Sequence, residues 1–409
     1  MARTARTIPL PIALCGSVAA APGLLRVKPA ASRFMAGYVR RFRVRSVGGR
    51  WWVHSHLPPL NSPAYGRFVR LHLVEQVAGP SHAQIGVTNA CPQHCVYCYN
   101  KQRSGRPLET DGVLELVDEL KSLGVVWLGL TGGEPLVDPD LPRIVARAGD
   151  ECCVKLFTSG CGLTPGLAED LVAAGLASVS VSLDHRDAAV HDAGRGYPGA
   201  YDAALAAVET FLATGQLHVG VSAVMTREMI AGGEAEGFLQ FLEGLGVHEA
   251  WVSELKPSTA AHRCEDAVIH DEERRRLCRL QDAWNDDRRH TMTVNYLGHF
   301  EGGEVFGCNA GAKMVYIDAY GEVSPCVFTP LSFGNVRDRP LRDLVTDMRR
   351  WFTPQSACWI NRNYQAVQEA AGGDVLLDRS RAEAVLARCS AAPPPVFSRI
   401  LYGEEVGQP

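Results

Sequence analysis

Three thiols fall within eight residues, in the run Cys91-Pro-Gln-His-Cys95-Val-Tyr97-Cys98. That spacing lets one short loop bind three corners of an iron–sulfur cube, and it leaves the fourth iron without a cysteine, free for another ligand. Zinc is the other chemistry these residues allow, with His94 completing a Cys3His tetrahedron. A second set of thiols stands far downstream. Cys308 is followed after twelve residues by Gly321-Glu-Val-Ser-Pro-Cys326, with Cys358 and Cys389 beyond.

These loops need a frame, and from about residue 82 the chain repeats one unit: an apolar run, a polar turn, an amphipathic helix, then a glycine. Val113, Leu116, Val117 and Leu120 carry the helical period, and Gly124 stands where a helix releases its chain. Thr164-Pro165 opens the next helix and Gly175 closes it; a third copy runs from Phe238 to Gly246. Strands are expected at 83–87, 125–130, 153–157, 177–183, 218–225 and 250–255. This alternation predicts an α/β fold, a parallel sheet with helices outside it. Counting units alone leaves a six-unit partial barrel, an eight-unit barrel and an open doubly wound sheet in play.

Residues 81–290 are expected to form this unit and residues 291–409 a second cysteine-bearing region with a tail, entered after a charged helix from Asp271 to Arg288. Residues 1–80 lack the repeat. Trp51, Trp52, Pro58, Pro59 and Pro63 suggest short strands and turns packed on the main unit, with no role assigned. Arg40, Arg41, Arg43 and Arg45 read as a solvated face, and Pro393-Pro394-Pro395 as a stiff surface tail.

Motifs stand in order at the ends of the expected strands: Thr131-Gly132-Gly133-Glu134-Pro135, Thr158-Ser159-Gly160, Ser180-Val-Ser182-Leu-Asp184, and His191-Asp192 leading to Arg195-Gly196. With the Cys-x3-Cys-x-aromatic-Cys loop, this series resembles the radical S-adenosylmethionine (radical SAM) superfamily over roughly residues 82–260. The resemblance implies a partial (βα)6 barrel. It also implies that Cys91, Cys95 and Cys98 hold a 4Fe-4S cluster, with Tyr97 as the loop aromatic. S-adenosylmethionine would meet Gly132, Gly133 and Glu134 at its amino group, Ser182 and Asp184 at its ribose, and Arg195 at its carboxylate. Ser159 replaces the family's asparagine.

The second set of thiols resembles the opening of a SPASM or Twitch auxiliary-cluster domain, with Tyr316 to Gly321 as a hairpin between Cys308 and Cys326. The later Cys-x2-Cys block of a full SPASM domain is missing, so the resemblance implies one auxiliary cluster, on Cys308, Cys326 and Cys358 with Cys389 as the leading fourth ligand. Isolated buried thiols are the plain alternative, and Cys15, Cys152, Cys153 and Cys278 are read that way; Cys161 and Cys264 could donate a hydrogen atom to a substrate radical. His185, His191 and Glu254 would face the cavity.

The activity implied is reductive cleavage of S-adenosylmethionine and abstraction of a hydrogen atom. The substrate would be a peptide or small biosynthetic intermediate, and a flavodoxin or ferredoxin would supply electrons. A non-catalytic or zinc-stabilised scaffold is the competing reading. Composition bounds the rest. A chain of 409 residues, 46% hydrophobic, can bury a large core, and a net charge of −4 gives no general reason for nucleic-acid binding. Thirteen unevenly spaced cysteines point to a reducing cytoplasm rather than a disulfide framework. The apolar run Ile8–Leu25, broken by Pro9, Pro11 and Pro22, is too interrupted for a membrane span, and it reads as a flexible extension.

Overall fold

A computed structural model describes residues 5–403. A small antiparallel sheet, β1 (Arg6–Thr7), β2 (Arg45–Val47) and β3 (Arg50–Trp52), precedes the main sheet. Six strands then pair in parallel, each with the next: β4 (His82–Thr88), β5 (Trp127–Gly132), β6 (Cys153–Thr158), β7 (Ser178–Ser182), β8 (His218–Met225) and β9 (Glu249–Glu254). One further strand joins each edge. β10 (Thr293–Tyr296) pairs in parallel with β9, and β11 (Met314–Ile317) pairs in parallel with β4 and antiparallel with β12 (Val323–Ser324). The order runs from β10 to β12 without closing, which is the expected α/β partial barrel with three flanking strands, β10, β11 and β12, that the repeat did not announce.

Alternation along the strands separates two faces. Val179 and Val181 of β7 join the main core, while Ser178, Ser180 and Ser182 lie on the opposite face. Ile85, Leu130, Leu156 and Val221 are likewise fully buried in that core, each stabilising it by about 1.5–3 kcal/mol. The helix Thr110–Ser122 covers them with Val113, Leu116, Val117 and Leu120.

The N-terminal region has the expected short strands at Arg45–Val47 and Arg50–Trp52 and an irregular segment through Pro58 and Pro59, but it also holds helices that were not expected. A helix, Leu10–Ala20, occupies the apolar run that was expected to be flexible. Its prolines punctuate it: Pro9 is the N-cap, Pro11 sits in the first turn, where no backbone donor is lost, and Pro22 follows the end. A second helix spans Pro29–Val39 and a short one Pro63–Phe68.

The segment after β3 closes the barrel at the N-terminal ends of its strands. Trp52 stacks on His218 at 4.5 Å. The Ser55 carbonyl accepts from Trp127 Nε1 (2.8 Å), its amide donates to Glu249 Oε2 (2.8 Å), and its hydroxyl accepts from Lys155 Nζ (2.6 Å).

Two further expectations are corrected. Arg45 is buried, and Arg43 donates to the Asn285 and Asp287 carbonyls at the end of the helix Asp271–Asp286, so neither belongs to a solvated face. The triple proline leads into a helix, Val396–Tyr402, whose Leu401 is buried in a core shared with the N-terminal helices, so it is no surface tail. Among the described residues no helix is long and apolar enough to cross a membrane.

Candidate functional site

The cysteine loop leaves the end of β4 and is pinned by the turn after β5. The amide of Gly133 donates to the Thr88 carbonyl (2.6 Å) and that of Glu134 to the Ala90 carbonyl (2.8 Å), directly before Cys91. The fit excludes side chains. A Cβ on Gly133 would lie 2.2 Å from the Ala90 oxygen, and Gly132 adopts φ +127°, which favours glycine. Both glycines therefore permit the close approach of two protein backbones.

Glu134 is 1% exposed and fully engaged. Its carboxylate accepts from the Leu136 amide (3.0 Å), the Ser159 amide (2.6 Å) and the hydroxyls of Thr158 and Ser159. Burial pushes its pKa up and these donors pull the other way. Four donors fill the four lone-pair directions of a carboxylate, so Glu134 ties the ends of β5 and β6 together, and Ser159 spends its polar atoms on it.

A second tie holds the loop from the other side. The His94 and Val96 amides donate to the carbonyls of Arg195 and Gly194 at the end of the helix Ala188–Arg195. Arg195 forms an ion pair with Asp184 at 2.7 Å, approaches Cys95 Sγ at 3.8 Å and lies over the Tyr97 ring at 5.6 Å. Tyr97 donates its hydroxyl to the same carboxylate, whose other oxygen accepts the Val224 amide (3.0 Å). His191 is buried with Nδ1 accepting from the Asp184 amide, so it supports this corner from behind and does not line the cavity; nor does His185.

Cys91, Cys95 and Cys98 are half-buried free thiols. Burial pushes Cys91 up to about 11 and raises Cys95 against the pull of Arg195, so metal binding must displace protons. Among the described residues no three His, Cys, Asp or Glu side chains converge on a single-ion site, and His94 is exposed. Three half-buried thiols on one loop beside a buried arginine form a donor set that fits iron carried in a cluster.

One cavity of 310 Å³ joins the two cysteine regions. Tyr97, Ser182 and Arg195 line one part of it and Cys308, Cys326 and Cys358 another. Trp127, Phe157, Trp251 and Phe300 supply apolar wall, with His56 stacked on Trp251 at 4.4 Å. The two regions are also bolted together outside the cavity, by a buried Arg103–Asp318 pair (2.9 Å) and by Tyr316 donating to Asn100 (3.2 Å).

The second set divides. Cys308 exchanges backbone hydrogen bonds with Gln355, which brings it to Cys358. The closeness of the two thiols lowers the pKa of Cys358 and raises that of Cys308. Cys326 joins them through the β11–β12 hairpin, as expected. Cys389 does not; it follows the helix Arg379–Leu386, half-buried beside Arg388 and Arg362, outside this cavity. Cys161 is buried against Gln93, and Cys264 is exposed. Glu254 lines the cavity as expected, but its partner Lys256 (2.8 Å), together with Glu301, went unread in the sequence. Lying two residues beyond Glu254 at a strand end was the available signal for Lys256; Glu301 had none.

Comparison with known proteins adds to this geometry. The Radical SAM superfamily model matches residues 85–230 and the SPASM iron–sulfur cluster-binding domain model residues 308–365. The chain is 29% identical over 282 residues to the AdoMet-dependent heme synthase of Methanosarcina barkeri, covering 63% of this chain and 80% of that one. It is 30% identical to the mycofactocin maturase of Mycolicibacterium smegmatis, over 59% of this chain and 63% of that one. It is also 30% identical to a probable GTP 3',8-cyclase of Halobacterium salinarum, over 55% and 70%. In fold it is similar to Streptococcus suis SuiB bound to the precursor peptide SuiA (TM-score 0.55, 16% identity, 72% of each chain). The same holds for anSMEcpe with bound AdoMet (TM-score 0.53, 16% identity, 65% of this chain and 80% of that one).

Proposed function

For a chain that belongs to the radical SAM superfamily and carries a SPASM iron–sulfur domain, we propose a two-cluster enzyme that abstracts a hydrogen atom from a peptide or small biosynthetic intermediate. Cys91, Cys95 and Cys98 would hold the 4Fe-4S cluster, and Cys308, Cys326 and Cys358 a single auxiliary one. The carrying observation is the shared cavity, which has Tyr97, Ser182 and Arg195 in its lining together with the second thiol set.

When bound, the first cluster supplies an electron that cleaves S-adenosylmethionine and yields a 5'-deoxyadenosyl radical able to take hydrogen from an unreactive C–H bond. The chain's own residues position and shield. Arg195 and Asp184 fix the cysteine loop through Cys95 and Tyr97. Ser182 faces the cavity as a partner for the ribose, and the aromatic wall excludes water and orients substrate beside the radical.

The substrate class draws on relatives. SuiB is recorded with a precursor peptide, and the Methanosarcina relative is a heme synthase. A flavodoxin or ferredoxin in the reducing cytoplasm would deliver the electron, and residues 81–290 would act as the radical unit.

Anaerobically purified protein should contain iron and sulfide and should form 5'-deoxyadenosine with reductant and S-adenosylmethionine. Cys95→Ala should abolish that product. Colourless, zinc-loaded protein, or undiminished product from the variant, would end this reading.

A further inference from the structure

β9 ends in Glu254, and two residues on stands Lys256, with its side chain 1% exposed. Its Nζ lies 2.8 Å from Glu254 Oε1 and 3.4 Å from Glu301 Oε2. Glu254 Oε1 also accepts from Asn361 Nδ2 (3.3 Å). Asn361 stands in the first turn of the helix Trp359–Ala371, whose N-cap is Cys358. The ammonium is therefore held against the start of that helix by a carboxylate bound to it. Lys256 and Cys358 line the same cavity. Glu254 has a further cation, Arg274, at 3.8 Å, so it does not depend on Lys256 alone for its counter-charge.

We propose that Lys256 is a positioning residue that sets the reduction potential of the cluster on Cys308, Cys326 and Cys358, by holding a buried positive charge against the start of the helix that Cys358 caps. This rests on the reading of those cysteines as cluster ligands. An electron added to a thiolate-bound cluster increases its negative charge, so a nearby cation stabilises the reduced form. Where little water screens the pair, that preference is strong. Hydrogen bonds and charges around the ligands are the protein's means of tuning such a site. Glu254 anchors the ammonium and offsets part of its field.

The two substitutions have opposite signs. Lys256→Met leaves Glu254 and Glu301 beside the cluster and should lower its midpoint. Glu254→Gln leaves the cation less compensated and should raise it. Lys256→Arg keeps the charge and should stay near the parent value.

The measurement is a redox titration followed by electron paramagnetic resonance on the full chain carrying Cys91→Ala, Cys95→Ala and Cys98→Ala, so that only the second cluster gives a signal. We expect Lys256→Met to shift the reduction equilibrium at least tenfold, about 59 mV for one electron. An unmoved midpoint, or shifts of the same sign in Lys256→Met and Glu254→Gln, overturns the proposal. If Lys256→Met fails to assemble a cluster, Glu254→Gln decides: an upward shift supports the proposal, and no shift or a downward one overturns it. A parent chain without any second-cluster signal removes the ligand reading and this inference together. A parent with that signal and unresponsive variants removes only the inference.

Discussion

Glu134 shows what a residue's identity reveals and what it conceals. Its place in the run Thr131 to Pro135 was readable, because a motif is contiguous. Its partners were not, since Thr158 and Ser159 belong to the next strand and turn. The same holds for Asp184, which meets Tyr97 from 87 positions away. Contacts that close only on folding leave no local trace in the chain. Glu134→Gln tests the tie directly. It turns an acceptor into a donor facing donors, a mismatch worth about 1–3 kcal/mol, so the unfolding temperature should fall in protein that has never met S-adenosylmethionine. A stability equal to wild type, with only cofactor affinity reduced, would leave Glu134 no structural part and only the cofactor role the resemblance implied.

At the scale of elements, the six parallel strands and their helices were legible because burial writes a period into the sequence: near 3.6 residues along Val113 to Leu120, and short apolar runs in the strands. β10 was not, being four residues long, too short to show a period, and β11 was legible only as one arm of a hairpin, not as a neighbour of β4. The N-terminal helices were hidden by prolines that only caps and first turns can tolerate. The turn after β5 offers a sharp test of how elements place the thiols. Gly133→Ala must drive the Ala90 carbonyl away from a contact of 2.2 Å, and with it the backbone entering Cys91. Iron bound per chain should fall while circular dichroism stays near wild type. Gly166→Ala is the control: nothing lies within 4 Å of its added Cβ, in the helix Pro165–Ala173, and it should leave iron content unchanged and stabilise by about 0.5–1 kcal/mol.

Across the whole molecule, neutral buried histidines hold the N-terminal region together and against the barrel. Burial lowers His54 to about 4 and His72 to about 3, and each ring is hydrogen-bonded, His54 with Tyr38 (2.8 Å) and His72 with the Gly124 carbonyl (2.8 Å). Between those values and the unfolded value near 6.5 the unfolded chain binds the extra protons. Stability should therefore fall as pH drops through that window, by on the order of 3 kcal/mol per histidine. Thermal unfolding recorded from pH 7 to 4 should show the decline, and His54→Gln with His72→Gln should make it shallower, the remainder belonging to other buried histidines such as His56, His82 and His218; an equally steep decline in the double variant would assign the acid sensitivity elsewhere. The pairing of β11 with β4 reaches furthest. The strand that feeds the first thiol loop borrows its outer neighbour from the region bearing the second, so a protease cut between the two halves would not release a self-sufficient catalytic half. It would strip β4 of its flank and bare a row of unpaired amides and carbonyls, a template for aggregation.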